Sequence, residues 1–369
     1  MRKIKVILCG GGTAGHVSPA IAIADEIKKR HKSCEFLFIG REGGRENEAV
    51  TRAKIPLTTL KIKGFIRGLS KENIERVSLI IRAGKESKKI LTAFSPDIVI
   101  GTGGYVCWPV LRAAQAMHIP TVIHESNAVA GLTTKMLARK CSVVLLGNEE
   151  AKKDLDQRAN CIMVGNPIKK DFFSISRSDS RKKLKLASDE IMIVSFGGSI
   201  GAEKINETVF ALMDNYSSKN QKIRHIHAVG ERYFEKIKGS RFTTEDNGCM
   251  ILPYINDMAT MLRASDIVIC RCGAMTLAEI SAVGATAILI PSPNVTNDHQ
   301  YRNARSLAEK NAAILLEERE LTPKVLESIV SILAESKDQR LKYSKCIEKF
   351  AIPNATSLIA DEIFKILKA

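Results

Sequence analysis

Residues 4–16 read IKVILCGGGTAGH. Ile4–Cys9 is an apolar run, broken only by Lys5 and half β-branched, that stops at three glycines, and Pro19–Ile27 beyond them carries apolar residues at helical spacing. A strand whose consecutive residues are apolar, as Val6–Cys9 are, is buried on both faces, which means a parallel strand flanked by helices. The same order of events recurs halfway along the chain. Ile191–Phe196 runs into GGSIGA, Gly197–Ala202, and a helix is expected from about Lys204 to Met213. Further apolar runs predict strands at Glu35–Ile39, Ile98–Ile100, Thr121–His124, Val143–Leu146, His225–Val229, Met250–Leu252, Ile267–Cys270 and Ala287–Ile290. Two doubly wound α/β domains follow, with ligands at the carboxyl ends of their strands. The boundary is expected at Gly165, separating residues 1–164 from 165–349. The polar stretch Ser174–Ser188 reads as a loop, and a C-terminal helix, Ala355–Leu367, is free to pack back on the first domain.

The 369 residues suffice for two cores, and 45% hydrophobic with 26% charged residues excludes a disordered or fibrous chain. The longest apolar run, Ile280–Pro291, is far short of the ~20 residues that span a bilayer. The N-terminus lacks the h-region of a signal peptide, so a cytosolic protein is expected. The nine cysteines show no C-x-x-C pairing and read as small buried hydrophobes rather than a zinc site. Net charge is +16, and residues 1–164 hold 27 basic against 15 acidic side chains, so the excess sits in the N-terminal half. An anionic surface or polyanionic ligand is expected there. Nucleic acid is the rival, but six Tyr and one Trp offer little base stacking and no recognition motif is present.

Gly10, Gly12 and Gly15 satisfy G-x-G-x-x-G between a strand and a helix, where backbone N–H groups and the helix dipole meet a phosphate. A nicotinamide site would also need an acid ending the second strand. Here Glu35 precedes that strand and only Glu42 follows the turn, so the dinucleotide fingerprint is half met. Two matched glycine loops suit transfer between two phosphorylated substrates better. His16 closes the first loop, where the dipole disfavours its cation and a neutral imidazole can take a proton from a hydroxyl. HESNAVAG, His124–Gly131, gathers a carboxylate, a hydroxyl and an amide at a strand end.

GGGTAGHVSPAIAIA, GTGGYVCWP, HESNAVAGLTTK, VGNPIKK, GGSIGAEKIN, CRCGAMTLAEISAVG and PNVTNDHQYRNA stand here in one order. In that order they resemble the MurG family of peptidoglycan glycosyltransferases, over residues 4 to about 316. The resemblance implies the GT-B fold, two Rossmann-like domains facing a cleft. The C-terminal domain would take UDP-N-acetylglucosamine, and the N-terminal one an undecaprenyl-linked muramoylpentapeptide. It implies inverting transfer to the 4-hydroxyl of the muramoyl sugar, in peptidoglycan synthesis and hence in cell-wall growth, shape and division. On the family's pattern Thr13, Ala14 and Gly15 approach the donor from the first loop, and Asn127 reaches the sugar. Ser199 contacts the diphosphate and Ile255 offers backbone groups to the uracil. Ala274, Met275, Thr276, Leu277 and Ala278 follow, with Glu279 on the ribose hydroxyls and Gln300 on the sugar. Small residues at a helix start facing a diphosphate agree with that reading, and Arg271 adds a cation nearby. Lys169 stands where the family often has arginine, and Cys272 where serine is common.

His16 is the expected general base, with Glu125 in reserve. No metal or cofactor is implied, because Asp154-Leu155-Asp156 matches a D-x-D triplet only by letter, in a polar helix-like stretch. A transferase for a soluble acceptor, a UDP-sugar 2-epimerase and a non-enzymatic nucleotide-sugar binder remain as alternatives. The lipid acceptor implies a peripheral enzyme at the cytoplasmic face of the membrane. Residues 61–90 hold nine basic and three acidic residues among apolar ones. Membrane contact is expected there through Phe65, Ile66, Leu69 and the lysines, with Trp108 as a second anchor and Val77, Leu79, Ile80 and Ile81 packed into the core.

Overall fold

The computed structural model describes residues 2–12, 14–44, 47–64, 72–198, 200–219, 222–246 and 248–368. Thr13, Ser199, Phe65, Ile66, Arg67, Leu69 and Lys71 lie outside the described residues, as does the side chain of Ala14. The chain divides into two compact units, one of Met1–Ile168 with Asn354–Ala369 and one of Lys169–Pro353. Gly165 to Ile168, placed by the sequence in the second domain, stay with the first. Gly165 O accepts from His124 Nε2 at 3.0 Å, Asn166 Nδ2 donates to Ser126 O at 3.1 Å, and Ile168 is buried.

In the first unit the described strands are β1 (Ile4–Cys9), β2 (Cys34–Arg41), β3 (Leu57–Leu60), β4 (Ile98–Gly101), β5 (Thr121–Glu125), β6 (Val143–Leu146) and β7 (Cys161–Met163). They form one sheet in the order β3-β2-β1-β4-β5-β6-β7, every pairing parallel. Successive residues of a strand face opposite ways. Val6 and Leu8 accordingly join one core cluster while Ile7 and Cys9 join the other. The C-terminal helix Ala355–Lys368 completes the first of these, placing Ile359 and Ile363 beside Ile23 and Ile27.

The second unit carries β8 (Ile191–Phe196), β9 (Ile223–Ala228), β10 (Cys249–Leu252), β11 (Ile267–Cys270), β12 (Ala287–Leu289) and β13 (Ile314–Leu315), ordered β10-β9-β8-β11-β12-β13 and all parallel. The stretch expected to be a loop contains the helix Arg177–Lys183, capped by Ser176. Arg177 and Arg181 pair with the part-buried Asp266, so charge pairing rather than an apolar stripe seats that helix. In both sheets the order reverses beside the first strand, between β1 and β4 and between β8 and β11. In open α/β sheets ligands bind outside the carboxyl ends of the strands at such reversals.

Candidate active site

The reversal in the first unit brings together the loops after β1 and β4. Gly11 N donates to Gly103 O at 3.3 Å, and Thr102 N to Cys9 O at 3.0 Å. The Thr102 hydroxyl donates to His16 O, pinning the start of helix Ala14–Arg30 to the strand end. His16 Nδ1 lies 2.9 Å from Gly11 O. A carbonyl only accepts, so Nδ1 carries the proton and the basic lone pair sits on Nε2. The ring is half-buried against Gly103. No acidic side chain occupies the first turn of this helix, which leaves its positive end uncompensated.

Glu125 ends β5 fully engaged. Its Oε1 accepts from Asn127 N and Asn127 Nδ2, both at 3.2 Å. Its Oε2 accepts from Gly131 N at 2.9 Å and Thr134 Oγ1 at 2.7 Å. Four donors on a 6% exposed carboxylate make it the clamp of the 126–131 loop, a different task from the reserve base expected from sequence. Asn127, half-buried, is the group that clamp presents. His124 is buried, and burial lowers its pKa, so it stays neutral while bonding Gly165 O and Ser126.

The reversal in the second unit joins the loops after β8 and β11. Helix Ala274–Val283 starts at Gly273, which has no side chain to cap it, and its first turn holds no acid. The N–H groups of Ala274, Met275 and Thr276 are thus open to an anion. Helix Glu203–Lys219, after the other loop, opens on a carboxylate, so of the two starts the one at Ala274 is the stronger anion site. Leu277 is buried while Ala278 and Glu279 are half-buried. Desolvation pushes the Glu279 carboxyl up to about 7, with the charge of Lys169, an exposed residue, working against the rise. Gln300 Oε1 accepts from Cys272 N at 3.3 Å and Ser292 N at 2.9 Å, so what Gln300 can offer a ligand is its Nε2 donors. Ile255 is buried and anchors the loop after β10, which Gly230 N ties in by bonding Pro253 O.

Several expectations change in the structure. Arg271 spends its guanidinium on Ile290 O at 3.3 Å, Pro291 O at 3.0 Å and an ion pair with Glu318, holding the segment that leads to Gln300 rather than meeting a phosphate. Asp154 accepts from Ala130 N and pairs with Lys135, so it supports the Glu125 loop instead of forming a solvated face. Among the described residues no cluster of three His, Cys, Asp or Glu could hold a metal. Trp108 packs on the core, whereas Val77 and Ile81 are 48% and 58% exposed. Sequence reasoning gave no role to Gly103, Asn303 or His227. Asn303 Nδ2 holds Cys272 O at 3.2 Å, and a second glycine pair after a strand, GTGG, is the signal that could have drawn attention to Gly103.

The glycosyltransferase family 28 N-terminal domain matches residues 6–146, and the family 28 C-terminal domain matches residues 192–359. The chain belongs to glycosyltransferase family 28 and, within it, to the MurG transferases. It is 40% identical over 365 residues, 99% of each chain, to the UDP-N-acetylglucosamine–N-acetylmuramyl-(pentapeptide) pyrophosphoryl-undecaprenol N-acetylglucosamine transferase of Acetivibrio thermocellus. It is similar to the crystal structure of Acinetobacter baumannii MurG, with TM-score 0.76, 28% identity, and coverage of 98% of this chain and 99% of that one. The fold alone is shared with the UDP-N-acetylglucosamine 2-epimerase of Neisseria meningitidis, at TM-score 0.67 and 12% identity over 99% of this chain and 100% of that one.

Proposed function

We propose that the enzyme transfers N-acetylglucosamine from UDP-N-acetylglucosamine to the 4-hydroxyl of the muramoyl sugar of undecaprenyl-diphospho-muramoylpentapeptide, with inversion. The observation that carries this reading is the pairing of two strand-order reversals with different chemistry. One presents a histidine whose Nδ1 is held by Gly11 O and whose Nε2 is turned to other partners, and the other an uncapped helix start with a carboxylate one turn on. The acceptor hydroxyl gives its proton to His16 Nε2 while its oxygen attacks the anomeric carbon, and the bond to the UDP oxygen breaks. Charge developing on the departing diphosphate is met by the N–H groups at Ala274–Thr276 and by the loop that contains Ser199, without a metal. Glu279 takes the ribose hydroxyls, the Ile255 backbone the uracil, and Gln300 and Asn127 the sugar. Thr13, Ala14 and Gly15 are the first unit's contacts for the donor, and Lys169 adds positive charge at Glu279.

Because the acceptor stays in a bilayer, we place the first unit at an anionic membrane surface. Among the described residues no helix is long and apolar enough to cross a membrane. What supports surface docking is the exposed pair Val77 and Ile81 on helix Glu72–Phe94, followed by exposed Lys85 and Lys88 on the same stripe.

The deciding measurement is UDP release with and without the lipid-linked acceptor. His16→Ala should lower turnover by about 100-fold or more while UDP affinity holds, and near-normal turnover would remove His16 as base. Conversion of UDP-N-acetylglucosamine to its 2-epimer without acceptor would instead establish an epimerase.

A further inference from the structure

A buried polar chain runs beneath the loop that joins β8 to helix Glu203–Lys219. Ser195, two residues before Gly197, is fully buried, and so are His225 and His227 on the neighbouring strand β9. Ser195 Oγ lies 2.7 Å from both His225 Nε2 and His227 Nδ1. His227 Nε2 lies 3.1 Å from Asn206 Oδ1, and Asn206 Nδ2 donates to Val229 O at 3.1 Å. Asn206 stands in the first turn of the helix that follows the loop.

His227 Nδ1 stands 2.7 Å from Ser195 Oγ and 3.2 Å from the Ser195 carbonyl oxygen, and the partner at Nε2 decides which ring nitrogen carries the proton. The bond to Val229 O fixes the Asn206 amide with Oδ1 toward His227, so His227 Nε2 must donate. Burial lowers the pKa of His227 to about 3, which keeps the ring neutral and leaves Nδ1 as an acceptor. The Ser195 hydroxyl therefore donates to His227, and His225 Nε2 donates to Ser195 Oγ. Phe210, on the same helix as Asn206, meets the His227 ring edge to face at 5.8 Å and fixes its tilt. One imidazole thus bonds both stems of the loop, the strand side at Ser195 and the helix side at Asn206. Glycines lock the loop to the end of β9 as well. Gly201 sits at φ +77°, and a Cβ on Gly230 would come 2.6 Å from Gly201 N.

We infer that His227 is a positioning residue for donor binding: by spanning Ser195 and Asn206 it sets where the two ends of the loop, Gly197 and Gly201, and the following helix start meet the diphosphate. This rests on the proposed donor reading and extends it from the loop itself to the buried histidine beneath. Groups that bind charge through fixed backbone N–H donors lose affinity when the donors shift by a fraction of an ångström. Uridine, which has no phosphate, does not report on that loop.

The test compares inhibition of transfer by UDP and by uridine in wild type, His227→Leu, His227→Gln and Ser195→Ala. His227→Leu should weaken UDP about tenfold and raise KM for UDP-N-acetylglucosamine alike, with uridine inhibition and kcat within about twofold. His227→Gln, which keeps a donor and an acceptor, should recover part of the loss. If His227→Leu does not fold, Ser195→Ala carries the same comparison, with the same UDP-selective loss expected. Equal loss of UDP and uridine, a fall in kcat alone, or unchanged UDP inhibition would overturn the proposal. A wild-type enzyme that UDP does not inhibit would overturn the donor reading and the proposal with it.

Discussion

Gly103 lies against the imidazole of His16: a Cβ on Gly103 would stand 2.5 Å from Cδ2 and 2.9 Å from Nε2. Gly103 also holds φ +115°, which side chains rarely adopt, and its carbonyl accepts from Gly11 N. The loop after β4 therefore fixes the face of the histidine that the loop after β1 supplies. Gly103→Ala must move either the ring or the backbone. We expect turnover to fall by about 10- to 100-fold while UDP affinity, which the proposed function assigns mainly to the second unit, stays within twofold. A fall in UDP affinity of the same size would show that the change is not local to His16.

The raised carboxyl of Glu279 gives donor binding a pH dependence with a definite sign. In the proposed donor complex, ribose hydroxyls donate to the carboxylate and so favour its ionised form. With the free-enzyme value at about 7, UDP affinity should rise as pH climbs through 7 and level off above it, and binding near neutrality should release a proton. Calorimetry in buffers of different ionisation heat reads that proton directly. Stability runs the other way. A carboxyl raised from 4.5 to about 7 holds more protons folded than unfolded, so its contribution declines as pH rises between those values. Glu279→Gln should bind UDP more weakly with a flat pH profile, and should gain stability over wild type at pH 8 relative to pH 5. A wild-type profile that stays flat from pH 6 to 8 would refute this account.

The central strands were legible because parallel strands buried on both faces leave a continuous apolar signature, as in Val6–Cys9. The edge strands β3, β7 and β13 were not. Leu57–Leu60 carries two threonines and is largely half-buried, and Ile314–Leu315 is two residues long. The loops at the two strand-order reversals were legible as glycines and small residues at helix starts. What their polar side chains bond to was not, since Arg271 finds carbonyls and a carboxylate distant in sequence. Glu125 looked like an acid facing a ligand, but its own loop supplies four donors to it, an outcome set by how residues 126–134 fold back.

Arg271 is the sharper case, because its two readings predict opposite results. Its side chain is 14% exposed and that of its partner Glu318 21%, and its fork holds the carbonyls of Ile290 and Pro291. Arg271→Met leaves Glu318 with a part-buried, unpaired charge and two carbonyls without donors. Chemical denaturation should show a loss of about 3 kcal/mol, and Arg271→Met with Glu318→Gln should recover part of it. KM for UDP-N-acetylglucosamine should rise modestly through Gln300. Unchanged stability with a large loss of UDP affinity would instead return Arg271 to the diphosphate.

The membrane proposal now turns on residues the sequence reading assigned to the interior. Leu79 is buried, as expected, but Val77 and Ile81 point outward at i and i+4, and Lys85 and Lys88 continue that stripe. Helix Cys107–Ala116 packs against helix Glu72–Phe94 and also against Leu132–Leu137, where Leu132 and Met136 are 64% and 58% exposed. Two apolar pairs on helices that share a neighbour, with lysines behind one of them, suit a surface that is apolar just below anionic headgroups. Each basic residue at such a surface adds about 1 kcal/mol, fading within a Debye length. Val77→Asp with Ile81→Asp should cut binding to anionic vesicles by about tenfold or more, and Lys85→Gln with Lys88→Gln should flatten its salt dependence. Both double variants should turn over a short-chain soluble acceptor at the wild-type rate. Vesicle binding that ignores lipid charge, or that survives the paired aspartates, would place the docking surface elsewhere on the chain.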